Sequence, residues 1–306
     1  MTASALFGRA YSLSIQTAQG SDALVYTNVG DKAAPLRIAF DVQKNVKSTP
    51  NKAVIAVYNL SARTRSSIGK STLVTLAVGY TGMVQNLFLG VVQKATSEQN
   101  GSDIITKLEC GDGEPALSGT PFKMTFPPGT QIWQVFKACA EAMNLASPAN
   151  PQPINAGVGI GIPAGALARG YTAEGLAKDT LDDLCRSCDL QWSIQNGALD
   201  IVPIGAHTGD TADVLKPSTG LLGIPSLNGK TVTFQALIQP GIAPNRLVEI
   251  QSTSVRGFFK ISSVKATGDT HDSKWQMECE GSLMSAAAAE QELPAAVGFD
   301  YNTAQA

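Results

Sequence analysis

Two stretches far apart in the chain follow one plan. KATSEQNGSDIITKLECGDG begins at Lys94, and KATGDTHDSKWQMECEGS begins at Lys265. In each, a Lys-Ala-Thr triplet leads through a polar loop into a run that closes on Glu-Cys, with Cys110 in the first copy and Cys279 in the second. The second copy is shorter by two residues, lost in the loop. Upstream, LVTLAVGY ahead of NLFLGVV corresponds to LVEIQSTS ahead of FFKISSV. Each copy therefore reads strand, turn, strand, polar hairpin loop, strand. Two antiparallel meanders can look alike by composition, but the shared order of triplet, loop and ending favours a duplicated β-barrel. Such a chain has a geometric use: three copies present six similar units in a ring, so that a threefold component can meet a sixfold one.

The remaining pattern fits around this duplication. LRIAFDV alternates Leu36, Ile38, Phe40 and Val42 with Arg37, Ala39 and Asp41, the period of a half-buried strand, and AVIAVYNL supplies another. The segment SARTRSSIGKS reads as a polar connection. The period then changes. In GTQIWQVFKACAEAMNL, Ile132, Val135, Phe136, Cys139 and Met143 fall on one helical face, with Thr130 as N-cap. A second helix is predicted in YTAEGLAKDTLDDLCRSCDL, where Leu181, Leu184, Cys185 and Cys188 share a face. LQWSIQNGALDIVPI is a hairpin turning at Asn196-Gly197. KTVTFQALI, RLVEIQS, GFFKISSVKA and KWQMECEG return to strands. The fold class expected is mainly β with an α/β insertion: a first barrel over 1–115, an inserted two-helix unit over 116–205, a second barrel over 206–285, and an Ala-rich segment with a tail over 286–306.

Composition narrows the function classes. Hydrophobic residues make up 43% of the 306, enough for real cores, while charged residues are only 16%, which suggests surfaces covered in an assembly. A formal charge of −2 gives no broad footprint for nucleic acid. The start, MTASALFGRAYSLSI, lacks the basic region and apolar core of a signal peptide, and no run reaches the length of a membrane span. The five cysteines, Cys110, Cys139, Cys185, Cys188 and Cys279, are odd in number and scattered, and read as reduced, mostly buried small hydrophobes.

The motifs that carry chemistry elsewhere are weak here. Gly159, Gly161 and Ala164, in GVGIGIPAGALARG, match the spacing of a dinucleotide turn. That turn needs a strand before it and a helix after it, whereas SPANPQPINA precedes it, Pro163 lies within it, and Gly165 and Gly170 follow. Asp182 and Asp183, at the distance of a ribose ligand, sit in the predicted helix. The stretch reads as a loop. Cys185 and Cys188 have the spacing of a zinc half-site or redox pair but lack a second pair and sit near a helix C-terminus, so packing is favoured. The two histidines, His207 and His271, fall in polar loops, and neither is ruled out as a base beside a carboxylate. Asp269, His271 and Asp272 have metal-ligand chemistry, but a solvated hairpin loop is the favoured reading. Trp133, Trp192 and Trp275 would suit a carbohydrate platform if exposed, but their patterns look core-facing.

The ordered set LRIAFDVQK, NKAVIAVYNLSARTRSSI, VTLAVGY, LFLGVV and GSDIITKLECGDG resembles the first barrel of phage tail baseplate hub proteins, of contractile and related tails. RGYTAEGLAKDTLDDLCRSCDLQWSIQNGALDIVPIG is similar to their inserted region, and the run from STGLLGIPSLNGK to KWQMEC to their second barrel. The resemblance implies a trimeric, tail-tube-like ring that joins the tail tube protein or tube initiator to the central spike protein, with the tape measure protein and baseplate wedge proteins as further partners. It implies a virion location, assembly in the host cytoplasm, and no enzymatic activity, cofactor or metal. No site residue is carried over. The Ala-rich ending departs from the family pattern; a neighbour contact and a disordered end both stand open. A tail-tip or carbohydrate-binding module, and a hydrolase using His207 or His271, are the alternatives.

Overall fold

The computed structural model describes residues 8–284 except 18–21, 31–33, 71, 114–116, 118 and 144–164. Gly159, Gly161, Ala164 and the segment 286–306 lie outside the described residues. The first part of the chain forms β1 (Arg9–Gln16), β2 (Leu24–Thr27), β3 (Ile38–Asn45), β4 (Asn51–Tyr58), α1 (Ala62–Ser67), β5 (Leu73–Tyr80), β6 (Met83–Asn100) and β7 (Asp103–Asp112). The middle forms β8 (Pro121–Phe126), α2 (Ile132–Ala142), β9 (Tyr171–Leu176), α3 (Ala177–Ser187), β10 (Leu190–Gln195) and β11 (Ala198–Pro203). The last part forms β12 (Thr208–Leu215), β13 (Leu221–Asn228), β14 (Thr231–Leu237), β15 (Arg246–Gln251), β16 (Arg256–Asp269) and β17 (Trp275–Leu283).

Alternation builds the main sheet. In β3 and β4, Ile38, Phe40, Val42, Ala53, Ile55 and Val57 are buried on one side, while Asp41, Gln43, Lys52 and Val54 take the other. The first and last parts then repeat one strand order, β3-β4-β7-β6-β5-β1 and β13-β14-β17-β16-β15-β12. The sequence echo is reproduced down to the register. Lys94, Ala95 and Thr96 face Glu109, Leu108 and Lys107, as Lys265, Ala266 and Thr267 face Glu278, Met277 and Gln276. Cys110 pairs with Val92 and Cys279 with Val264, both thiols turned into the core. β1 runs antiparallel to β5 while β12 runs parallel to β15. The parity explains this: the first part makes the extra pass β2 before β3, and β12 runs as β2 does.

The two repeats are joined edge to edge. β16 pairs with β15 over Arg256–Lys260, shifts register against β17 between Ile261 and Ser263, and then pairs with β3 over Ser263–Asp269. The described strands of both repeats thus form a single 13-stranded sheet, and its apolar faces merge into one cluster running from Tyr11 to Cys279. The middle part has a separate cluster of its own, from Phe122 to Ile201.

Three local expectations are corrected. The second helix starts only at Ala177, because YTAEGL instead pairs as β9 with β8, a strand the sequence pattern did not reveal. That ribbon is held by Lys123–Glu174 (2.8 Å), Thr125–Thr172 (3.2 Å) and the stacked rings of Phe126 and Tyr171. The N-cap of α2 is Gln131, whose N–H donates to Gln134 Oε1, while the Thr130 hydroxyl turns back to the Pro127 carbonyl. SARTRSSIGKS contains α1, capped by Ser61 Oγ, which accepts from the Thr64 N–H at 3.1 Å.

At the seam, Gly268 faces Phe40 across the β16–β3 pairing, where the Phe40 and Trp275 rings meet edge to face at 5.4 Å. A Cβ added at Gly268 would overlap the Phe40 ring and crowd Trp275. Gly268→Ala is therefore expected to destabilise the fold by about 1–3 kcal/mol through overpacking, measured by denaturant unfolding.

Candidate functional site

The outer face of the sheet is a continuous polar surface. Thr233 and Gln235 on β14, Glu278 and Glu280 on β17, and Lys265 on β16 continue into Asp41 and Gln43 on β3 and Lys52 on β4. The same face runs on through Lys107 and Glu109 on β7 to Lys94, Thr96 and Glu98 on β6. Signs are interleaved: Lys265–Asp41 (3.5 Å), Lys94–Glu109 (3.7 Å) and Lys107–Glu98 (2.5 Å) are exposed ion pairs, each contributing little to stability. Over β13, β14, β17, β16 and β3 this face dips into an open trough of about 790 Å³. A broad, charge-balanced, open surface of this kind suits solvent or a macromolecule rather than an enclosed small ligand.

Beneath the sheet, a buried polar clamp fixes the middle part to both repeats. The Asn196-Gly197 turn takes positive φ at both residues (54° and 78°), the two-residue turn that matches strand twist. Its N–H groups donate to the two oxygens of Asp112, at 2.6 and 2.8 Å. Lys44 Nζ donates to Asn196 Oδ1 (3.0 Å) and the Leu87 carbonyl (3.2 Å), and Asn51 Nδ2 to the Ile194 carbonyl (2.7 Å). On the opposite repeat, Asn245 Nδ2 donates to Asp200 Oδ2 (2.8 Å), and Asn245 Oδ1 accepts from Gln191 Nε2 (2.8 Å). Burial sets the charges. It lowers Lys44 to about 8, against the attraction of Asp112 and Asp200, and lowers Lys260 to about 8, against Asp200. It raises Asp112, opposed by Lys44 and the two turn N–H groups, and raises Asp200, opposed by Asn245.

The residues singled out in the sequence do not converge. His207 is buried (7% exposed) just before β12, not on a polar loop as expected. His271 is exposed on the β16–β17 turn, its Nδ1 2.9 Å from Thr270 Oγ1. Burial alone would raise the Asp269 carboxyl, but Arg37 (2.9 Å) and the His271 backbone N–H (2.8 Å) hold it below the usual range. Among the described residues, no group of three or more His, Cys, Asp or Glu is placed to hold a metal. Cys185 is buried in α3 with its thiol pushed up to about 12 by desolvation, and Cys188 caps the helix half-buried. Asp182 accepts from Trp192 Nε1 at 2.8 Å, and Asp183 pairs with Arg186. Trp192 and Trp275 are buried; Trp133, expected in the core, is half-buried on α2. The members of the clamp come from positions 44 to 245, so within the sequence only Asn196-Gly197 marks it locally.

This architecture is that of phage tail proteins. The 43 kDa tail protein of prophage MuSo2 from Shewanella oneidensis superposes with a TM-score of 0.58 at 9% identity, over 89% of this chain and 98% of that one. A tail protein from Neisseria meningitidis MC58 gives 0.58 at 10% identity, over 92% and 98%. An E. coli type VI secretion component, described as structurally similar to the T4 tail proteins gp27 and gp5, gives 0.51 at 11% identity, over 82% and 75%. No family model matches the sequence, and no curated protein matches it significantly. The chain therefore shares the fold of tail proteins across most of its length.

Two outcomes follow from the clamp. Asp112→Ala strands two buried N–H groups and the Lys44 charge, and should cost about 2–4 kcal/mol in unfolding free energy, with faster hydrogen exchange at Asn196 and Gly197. A lysine whose folded pKa lies below its unfolded 10.5 makes the native state the poorer proton binder, so its charge penalty is full below about 8 and fades as pH rises. Wild type should therefore gain on Lys44→Met between pH 7 and 9.5; denaturation of both proteins at the two pH values checks the sign.

Proposed function

We propose that the chain is a structural baseplate hub of a phage tail. Three copies form a ring of six similar units, with the sixfold tail tube protein or its initiator on one side and the threefold central spike protein on the other. The observation that carries this reading is the repeated strand order within one chain, joined by the β3–β16 pairing into two equivalent units. The likeness to tail proteins supports a virion tail location; assembly in the host cytoplasm and contact with the tape measure protein and baseplate wedge proteins complete the proposed setting.

On this reading the domains are a first barrel over 1–115, the inserted unit over 116–205, a second barrel over 206–285 and an ending over 286–306; the separate apolar clusters favour the middle division. The interleaved Lys and Glu face lines the ring's channel, where charge balance offers no sticking point to passing nucleic acid or protein. The role is assembly, without catalysis or cofactor. Native mass spectrometry is expected to give three times the 31.9 kDa chain, and co-expression with the neighbouring tube and spike proteins should recover a joint complex. A strictly monomeric protein at high micromolar concentration, or a trimer that binds neither partner, would overturn the reading.

A further inference from the structure

One position in β3 has the burial of a core residue and the chemistry of a nucleophile. Ile38, Phe40 and Val42 turn into the core, and the next residue of that row is Lys44, only 5% exposed. A lysine in an apolar row carries a desolvation cost that is offset only where its charge meets a partner. Lys44 Nζ instead donates to two neutral carbonyl oxygens, Leu87 O at 3.2 Å and Asn196 Oδ1 at 3.0 Å. The carboxylates whose charge it feels, Asp112 and Asp200, leave it at about 8, so in mildly alkaline solution much of the amine is unprotonated.

Its neighbour is an electrophile held in place. The amine and the side-chain amide of Asn196 come from positions 152 residues apart, and the fold sets them in direct contact. Asp112 fixes the amide by gripping the turn from behind, accepting from the Asn196 N–H at 2.6 Å and the Gly197 N–H at 2.8 Å. Gly197 N is the atom that attacks the side chain in labile Asn-Gly sequences, and here it is engaged by Asp112. With Nζ 3.0 Å from Oδ1, a small side-chain rotation brings the amine to Cγ at the near-attack separation of about 3–3.5 Å. Asn196 is half-buried, which leaves a way out for a small leaving group.

We propose that the chain joins Lys44 to Asn196 through an intramolecular isopeptide bond, formed by its own groups in the shelter of the clamp. The neutral Nζ attacks Asn196 Cγ. The Nζ–Cγ bond forms and the Cγ–Nδ2 bond breaks; one Nζ proton stays on the new amide, the other leaves with Nδ2, and ammonia departs. No oxidant, reductant or cofactor is consumed. The product exchanges a buried amine for a neutral amide and ties β3 covalently to the β10–β11 hairpin, so the inserted unit can no longer part from the first repeat. The reaction happens once per chain, turns over no substrate and does not depend on the hub reading. The pH-dependent gain expected of Lys44 above belongs to the unlinked chain, and a linked chain lacks it.

The test is mass spectrometry of the full-length protein, incubated folded at a pH above the Lys44 value of about 8 and then denatured. Wild type is expected to weigh one ammonia less than its sequence, and its digest to contain a branched peptide joining Lys44 to Asn196. Lys44→Arg keeps a cation and its donors, and Asn196→Gly keeps a two-residue turn without the amide; both should fold by circular dichroism and retain their full mass. Asp112→Asn, folded by the same measure, should lose ammonia at least ~10-fold more slowly, because the amide is no longer held in place. Full mass in folded wild type overturns the bond. So does a loss of ammonia that persists in Lys44→Arg, which marks a succinimide at Asn196-Gly197 instead. Linking at the wild-type rate in Asp112→Asn overturns the positioning role of Asp112. None of these outcomes bears on the hub reading, which stands or falls by the trimer and its partners.

Discussion

The pairing of β16 with β3 is the contact on which the rest of the molecule depends. It takes seven residues, Ser263–Asp269, and places them against Ala39–Asn45. Without it the chain would be two modest sheets, each with an apolar face too narrow to bury alone. With it, Val42 and Phe40 meet Ala266 and Gly268, the two faces share one core, and the outer polar faces become one surface. The close approach is possible because position 268 has no side chain; Phe40 and Trp275 fill the space instead. The register shift in β16 at Ile261–Ser263 is equally necessary, since it is there that the strand leaves β15 and turns its edge toward β3.

The middle part shows how an insertion can be tied to a sheet without becoming part of it. Its own core is satisfied by α2, α3 and two short ribbons. Its attachment is polar and buried: a tight turn aimed at Asp112, an amide at Asn51, a cation at Lys44 and a second carboxylate–amide pair at Asp200 and Asn245. Apolar contacts would permit sliding; hydrogen bonds between groups buried away from water permit one arrangement, because every alternative leaves donors unpaired. The cost is visible in the lowered lysines and raised carboxyls, so the clamp fixes orientation more than it adds stability.

What the sequence disclosed follows from which signals are local. The duplicated meander was legible because Lys94–Glu109 and Lys265–Glu278 alternate with core residues in the same order, and that alternation is written along the chain. The apolar face of α2 and the turn at Asn196-Gly197 were legible for the same reason. YTAEGL has no strong strand composition and runs into a helical pattern; it is the strand β9 only because β8, far back in the chain, offers it an edge. β13 carries a Gly and a Pro in its middle and shows no alternation, so nothing local marks it. The burial of His207 and the whole clamp depend on residues brought together from distant positions, which one chain's spacing does not encode.

The differences between the repeats matter as much as their likeness. Six identical units would give a sixfold ring with no means of telling one neighbour from the next. Here the first repeat carries an extra strand, β2, and α1, and the second has neither among the described residues; the inserted unit leaves the chain between them and docks on both. On the proposed reading, decorations of this kind recur three times around the ring, while the sheet beneath them recurs six times. The conserved feature is then the polar sheet face, which a sixfold tube can continue, and the variable feature is the set of loops and the insertion, which a threefold spike can recognise. On that reading, a change of symmetry comes from fusing two near-copies and altering only what projects from them.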